Sequence, residues 1–156
     1  MVERTDAMKS AESNLAQLDA QTAADDGVLH FPAGLLGFEQ VKRYVLLGSR
    51  EEAPFMWLQM VDEPRLAFLV IEPGYVVPDY APEISDADVQ ALGLTRAEDA
   101  WVLNIVTVHP DGRATVNLKG PVLINRHTRV GRQVIPVNVS QYPLQHPLPA
   151  PEPVAA

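Results

Sequence analysis

Between residues 28 and 142 the chain alternates short apolar runs, rich in Val, Ile, Leu and aromatics, with breaks of Gly, Pro and Asp that recur roughly every ten residues. That rhythm predicts an all-β sandwich or barrel, with strands at 28–31, 43–48, 54–61, 65–71, 100–109, 113–119, 121–125 and 133–139. The clearest pairing flanks His109-Pro110-Asp111-Gly112, where Asp-Gly supplies the positive φ of a hairpin turn. In the run 101–108, Trp101, Leu103 and Ile105 alternate with Val102, Val106 and Val108, so both faces are largely apolar and the strand belongs at the centre of the sheet. Trp57 and Trp101 both read as core residues. Pro136 cannot donate to a ladder, which makes 133–139 an edge or bulged strand.

One segment carries helix signals. Ser85 is an N-cap followed by Asp86 and Asp88 in the first turn, Val89, Ala91 and Leu92 follow, and Gly93 stops the run. Residues 72–82 hold Pro73, Pro78 and Pro82 with Tyr75 and Tyr80 between them, which excludes a regular element. Residues 1–27 have no aromatic and only a weak helical pattern around Leu15 and Leu18, and they read as a disordered or frayed arm dispensable for folding. Five of the fourteen prolines lie between Pro143 and Pro153, so 143–156 reads as an extended, unstructured Pro-rich tail. The expectation is one small antiparallel β-barrel-like domain over 28–142, with one short helix.

Composition narrows the class. Cysteine is absent, which removes disulfides, thiolate metal sites and cysteine nucleophiles and fits a reducing compartment. The N-terminus lacks the uncharged apolar core of a signal peptide and no run reaches the ~20 apolar residues of a membrane span, so a cytoplasmic protein without membrane contact is expected. The net charge of −8 is unevenly spread: −4 over 1–27, −7 over 28–110 and +3 over 111–156. A phosphate backbone is bound by Lys and Arg, so direct nucleic-acid binding is disfavoured and a basic protein is the natural partner.

Candidate chemistry is sparse. His30, His109, His127 and His146 show no metal-ligand spacing, and neither a G-x-S-x-G elbow nor a phosphate loop is present. The adjacent carboxylates Glu51-Glu52, Asp62-Glu63 and Glu98-Asp99 point to opposite sides of an extended chain and make poor acid/base pairs. No catalytic, cofactor or metal residue is therefore assigned, and the profile is that of a binding module. A small-ligand or flavin-binding β-barrel enzyme is the alternative, though no phosphate-cradling loop supports it. A direct RNA binder using Arg113, Lys119, Arg126, Arg129 and Arg132 lacks aromatics within that segment for stacking.

Two stretches go further. Phe31-Pro32-Ala33-Gly34-Leu35-Leu36-Gly37-Phe38, together with Asn117-Leu118-Lys119-Gly120-Pro121-Val122-Leu123-Ile124-Asn125 and the following Gln133-Val134-Ile135, resembles the FliW family of flagellar assembly factors. Phe55-Met56-Trp57-Leu58-Gln59, Ala67 to Pro73, Pro78-Asp79-Tyr80 and Leu103 to Val108 fall between them in the family's order, and the resemblance covers about 28–148. Leu36 stands where Pro is common and Gly120 where Ala is common; the arm takes the place of a strand that usually precedes the first motif. The resemblance implies a non-enzymatic β-barrel protein without cofactor, a monomer when free. Its partners would be CsrA, a small dimeric RNA-binding regulator released from its messages on binding, and flagellin, in a partner switch.

Read as structure, Phe31, Pro32, Gly34, Gly37 and Phe38 shape a turn, and Asn117, Leu118, Pro121, Ile124 and Asn125 shape strand ends. For the basic partner the densest acidic stretch is 79–99, with Asp79, Glu83, Asp86, Asp88, Glu98 and Asp99 against Arg96 alone. The expected docking face therefore comprises Asp79, Asp86, Asp88, Glu98 and Asp99, with Tyr75 and Tyr80 supplying apolar contact.

Overall fold

The computed structural model describes Val2–Glu3 and residues 27–148. Among the described residues ten strands follow in chain order: β1 (Val2–Glu3), β2 (Leu29–His30), β3 (Arg43–Gly48), β4 (Phe55–Met60), β5 (Leu66–Ile71), β6 (Ala100–Val108), β7 (Ala114–Val116), β8 (Val122–Asn125), β9 (Gly131–Gln133) and β10 (His146–Pro147). The α-helix among the described residues, α1 (Asp86–Leu92), lies between β5 and β6.

Every strand pair is antiparallel, and the order is β10-β7-β6-β5-β4-β3-β2, with β8 on β6 and β9 on β8. The nine-residue β6 explains the branching. Its first half pairs with β8 (Trp101↔Ile124), its middle with β5 (Val70↔Ile105) and its end with β7 (Thr107↔Thr115). A parallel bridge between His30 and Val130, with the His30 N–H donating to Arg129 O at 2.9 Å, closes the ring β2-β3-β4-β5-β6-β8-β9. Alternation along each strand sends one set of side chains inward. Phe31, Tyr44, Leu58, Phe68, Leu103 and Ile124 fill the interior, with the Phe31 and Tyr44 rings in edge contact at 5.1 Å.

The opposite set faces outward in three apolar patches. Over β5, β6 and β7, Ile71, Val106 and Val116 lie beneath Val76, Val77, Tyr80 and Tyr142. Over β8 and β9, Leu123 and Val134 lie beneath Leu92 of α1 with Ile84 and Leu94. Over β3, β4 and β5, Val45, Leu47, Trp57 and Ala67 form the third.

The β6–β7 hairpin is present, with Gly112 at φ +89° and its N–H donating to His109 O. The helix also begins and ends where its signals lie: the Ser85 hydroxyl accepts from the Asp88 N–H, and Gly93 is left-handed at φ +65°.

Other expectations are corrected. The strand expected at 133–139 is Gly131–Gln133, because Pro136 has no N–H and the ladder ends before it; Val134 and Val137 instead donate to Pro121 O and Glu83 O. The 113–119 strand ends at Val116, where Asn117 opens a turn. Within the stretch expected to be an unstructured tail, His146–Pro147 pairs with Val116 and Thr115, and Leu148 packs on the β6–β7 patch; residues 149–156 lie outside the described residues. Within the expected arm, Val2–Glu3 pairs with Ala67 and Leu66; residues 4–26 lie outside the described residues. Trp57 is buried at 4% exposure, but Trp101 is only half-buried, packing against the interior cluster from near the start of β6.

Candidate partner-binding surface

The two recognisable motifs meet in space and serve the fold. Gly34, at φ +66°, turns the first so tightly that a Cβ there would stand 2.5 Å from Glu39 Cα and 2.6 Å from Phe38 O. Phe31 is fully buried, its ring so close to Gly131 that a Cβ there would lie 2.4 Å from Phe31 Cζ. Phe38 meets Phe68 edge-on at 5.3 Å, while Pro32 and Gly37 remain exposed. In the second motif the Asn117 carboxamide oxygen accepts from the Lys119 and Gly120 N–H groups at 2.9 and 3.1 Å. Leu118, Pro121 and Ile124 are buried. Gln133 joins the motifs: its carboxamide oxygen accepts from the Leu36 N–H at 3.0 Å, and its NH2 donates to Gly120 O at 2.9 Å.

Asn125 ties the second motif to the helix. Its NH2 donates to Leu92 O at 2.8 Å, occupying a carbonyl left open at the helix end, and its oxygen accepts from the His127 and Thr128 N–H groups. This buried side chain fixes α1 against the barrel.

The acids expected to greet a partner divide into two groups. Asp99 is buried: its carboxylate accepts from the Thr95 hydroxyl at 2.9 Å, the Arg96 N–H at 3.0 Å and His127 Nε2 at 2.9 Å. Those bonds, led by the Thr95 hydroxyl and His127, pull its pKa from 3.8 to about 2. Asp88 is largely covered, held by Arg132 Nε at 2.8 Å and the Ser85 hydroxyl at 3.0 Å. These two carboxylates act within the fold. Asp79, Glu83, Asp86 and Glu98 are exposed, and Glu98 meets Arg96 only in a solvent-exposed pair at 3.5 Å.

The aromatics divide likewise. Tyr80 donates its hydroxyl to Leu118 O at 2.7 Å and packs edge-on against Tyr142 at 4.7 Å, and burial raises its pKa. Tyr75, the last residue of the turn Pro73–Tyr75, is 67% exposed.

Between these groups lies a feature that the sequence pattern did not reveal. An open apolar cleft of about 400 Å³ runs between α1 and the outer side of β6, lined by Ile84, Val89, Leu94, Ala97, Ala100 and Val102. Ala100 and Val102 also border a second hollow containing Glu72, Tyr75, Trp101 and Arg126. The Arg126 guanidinium lies 5.7 Å from the centre of the Trp101 ring, so an aromatic does accompany one of the basic residues after all. The available signal was the outward set of β6, where Ala100 and Val102 are small and apolar. The exposed acids Glu83 and Glu98 are chain neighbours of the lining residues Ile84 and Ala97, and Asp86 opens the helix that forms one wall. The surface is thus an apolar floor with Thr95 and Arg96 in its lining and exposed acids adjacent to it in the chain.

Among the described residues no helix is long and apolar enough to cross a membrane, and no three His, Asp or Glu side chains gather as metal ligands.

Residues 13–148 match the family model described as FliW protein. A protein of Natranaerobius thermophilus named flagellar assembly factor FliW is 42% identical over 126 residues, spanning 80% of this chain and 83% of that protein. One of the same name from Leptospira interrogans is 40% identical over 115 residues, 72% of this chain and 77% of the relative. A solved structure titled as the crystal structure of the flagellar assembly factor FliW superposes with a TM-score of 0.70 at 34% identity, covering 80% of this chain and 85% of that one.

Proposed function

Since the chain belongs to the FliW family of flagellar assembly factors, we infer that it works by holding other proteins and not by catalysis. It binds CsrA and lifts that regulator's repression of flagellin message, and it binds flagellin in exchange, acting in the cytoplasm as a monomer when free. The observation that carries this reading is the cleft along β6, apolar on its floor, with the exposed acids Glu83 and Glu98 next in the chain to its lining residues Ile84 and Ala97, and with Tyr75 in the hollow that shares Ala100 and Val102. A protein built to bind RNA carries basic surface, which Asp79, Glu83, Asp86 and Glu98 attract from a distance. The apolar floor and Tyr75 then supply contacts that keep a partner in place. Asp88, Asp99 and Tyr80 support the site from within, by bonds to Arg132, Thr95, His127 and Leu118.

The test is a titration of the purified protein with CsrA and with flagellin from the same organism, singly and in competition. Saturable 1:1 binding to each, with flagellin displacing CsrA, is the expected result. Binding to neither removes the partner reading; binding to both at once removes the switch.

A further inference from the structure

The cleft along β6 does not end at Ala100 and Val102. The β5–β6 ladder stops at Ile71↔Asn104, and Pro73, which has no N–H to extend it, takes the chain into the turn Pro73–Tyr75. β6 runs on past that point as Ala100–Leu103, and the separation leaves a hollow of about 470 Å³ between Glu72, Tyr75, Trp101 and Arg126. Next to it, a third hollow of about 410 Å³ lies against the β3–β4 turn, lined by Gly48, Arg50 and Phe55 and again by Glu72 and Tyr75. The cleft shares Ala100 and Val102 with the middle hollow, and the middle hollow shares Glu72 and Tyr75 with the third. Together they form one trough across the strand order β8-β6-β5-β4-β3, from Leu123 to Gly48. Four inter-strand gaps of roughly 4.8 Å make it about 19 Å long, the reach of about six extended residues. That shape suits a peptide segment better than a compact small molecule.

The trough also differs in charge from the rest of the molecule. The chain carries 20 acids and 12 bases. The charged residues lining the trough, by contrast, are Arg96, Arg126 and Arg50 against Glu72. Arg96 has a partner in Glu98. Among the described residues Arg126 and Arg50 meet no carboxylate within 4.0 Å, although Glu72 lines the hollow of each. Both are exposed, and the Trp101 ring beneath Arg126 orients that guanidinium without neutralising it. A ligand that brings carboxylates gains charge-assisted hydrogen bonds here. One that brings ammonium groups meets like charge.

We propose that the trough seats an extended peptide segment whose apolar residues enter the cleft between α1 and β6 and whose carboxylates reach Arg126 and Arg50. The proposal rests on the reading of this face as a partner-binding surface, and it gives that face two polarities. The exposed acids Asp79, Glu83, Asp86 and Glu98 draw a basic protein towards the surroundings, whereas the trough itself selects an acidic segment. Because Ala100 and Val102 belong to both cleft and hollow, a segment seated here occupies floor that any protein held on the cleft also needs.

The probe is a capped peptide of about six residues, apolar at one end and with two Asp at the other, compared with its counterpart carrying Lys in place of Asp. Amide and indole NMR signals of the full-length protein are followed up to about 2 mM peptide, which reads dissociation constants of about 1 mM and below. Saturable shifts are expected at Arg50, Tyr75, the Trp101 indole and Val102, with affinity at least about fivefold higher for the acidic peptide. The double variant Arg50→Gln, Arg126→Gln is expected to lose at least about fivefold in affinity for the acidic peptide and to gain none of that preference elsewhere. Equal affinity for the two peptides, no saturable shifts, shifts centred away from these residues, or unchanged affinity in the double variant each overturn the proposal. If the double variant does not fold, the comparison of the two peptides on the parent protein decides. Acidic peptide bound in the trough with neither CsrA nor flagellin binding removes those partners and leaves the trough; both partners binding with no preference for the acidic peptide removes this proposal alone.

Discussion

Asp99 and the glycines of the first motif show how far one residue's role depends on its neighbours. A carboxylate whose pKa the fold lowers from 3.8 to about 2 stabilises the folded state in its ionised form. Its contribution is complete above about pH 4 and disappears as pH falls through about 2. Asp99→Asn is therefore expected to lower Tm by a constant amount at neutral pH, with the gap to the parent protein narrowing below pH 4 and vanishing near pH 2; Tm measured across pH 2–7 checks it. Gly34 and Gly37 share a positive φ, +66° and +87°, but differ in surroundings. A Cβ on Gly34 collides with backbone of Phe38 and Glu39, whereas one on Gly37 meets nothing within 4 Å. Gly37→Ala should cost only the left-handed penalty of about 1–2 kcal/mol. Gly34→Ala adds an overlap that rigid backbone cannot relieve and should cost at least about 3 kcal/mol, as chemical denaturation of both variants will read.

At the scale of elements, the seven-residue α1 is too short to persist by itself and depends on its attachments. The Ser85 cap satisfies one N–H at its start, Arg132 binds Asp88 along its length, Leu92 packs into the barrel's outer patch and Asn125 binds its last turn. Ser85→Ala should cost about 1 kcal/mol, the usual worth of an N-cap. Asn125→Asp keeps the acceptor for His127 and Thr128 but removes the donor to Leu92 O at a buried site. It should cost about 2–3 kcal/mol, since an unmet buried group loses more than a bond gains. A denaturation series that ranks Ser85→Ala above Asn125→Asp in cost would contradict this account of the helix. The same attachment positions Val89, and with it one wall of the cleft.

For the whole molecule the deciding property is where charge is left free. The total is −8, but Asp99 and Asp88 are consumed inside the fold, so the surface near the cleft owes its field to Asp79, Glu83, Asp86 and Glu98. Replacing Asp79, Asp86 and Glu98 together by Asn, Asn and Gln should slow association with a basic partner roughly three- to tenfold at low ionic strength. The difference should fade at about 1 M salt, where screening shortens to ~3 Å. Stopped-flow rates across a salt series check it, and melting temperature should hardly move because none of the three supports a buried bond. Asp88 and Asp99 are unsuitable for this test: neutralising them would perturb the fold and hide any effect on the rate.

Local chemistry was legible from the chain alone. The strands around Leu46, Leu58, Phe68 and Ile105, the Gly112 hairpin and the Ser85-to-Gly93 helix all appear where the pattern put them, because alternation, turn residues and caps act over a few neighbouring positions. The paired motifs were legible for a related reason. Gly34 and the Asn117 turn are set by contacts within a few neighbouring positions, so the residues that shape them stand together in the chain. Tertiary structure decided everything that depends on residues far apart in the chain. Asp99 reads as one more surface acid until Thr95 and His127 enclose it, Trp101 reads as core until the fold leaves it half-exposed beneath Arg126, and His146–Pro147 reads as loose tail until β7 offers it a free edge. Burial, and therefore the state of a charge and the availability of a surface, is a property of what the fold stacks above a residue, and no local pattern carries that information.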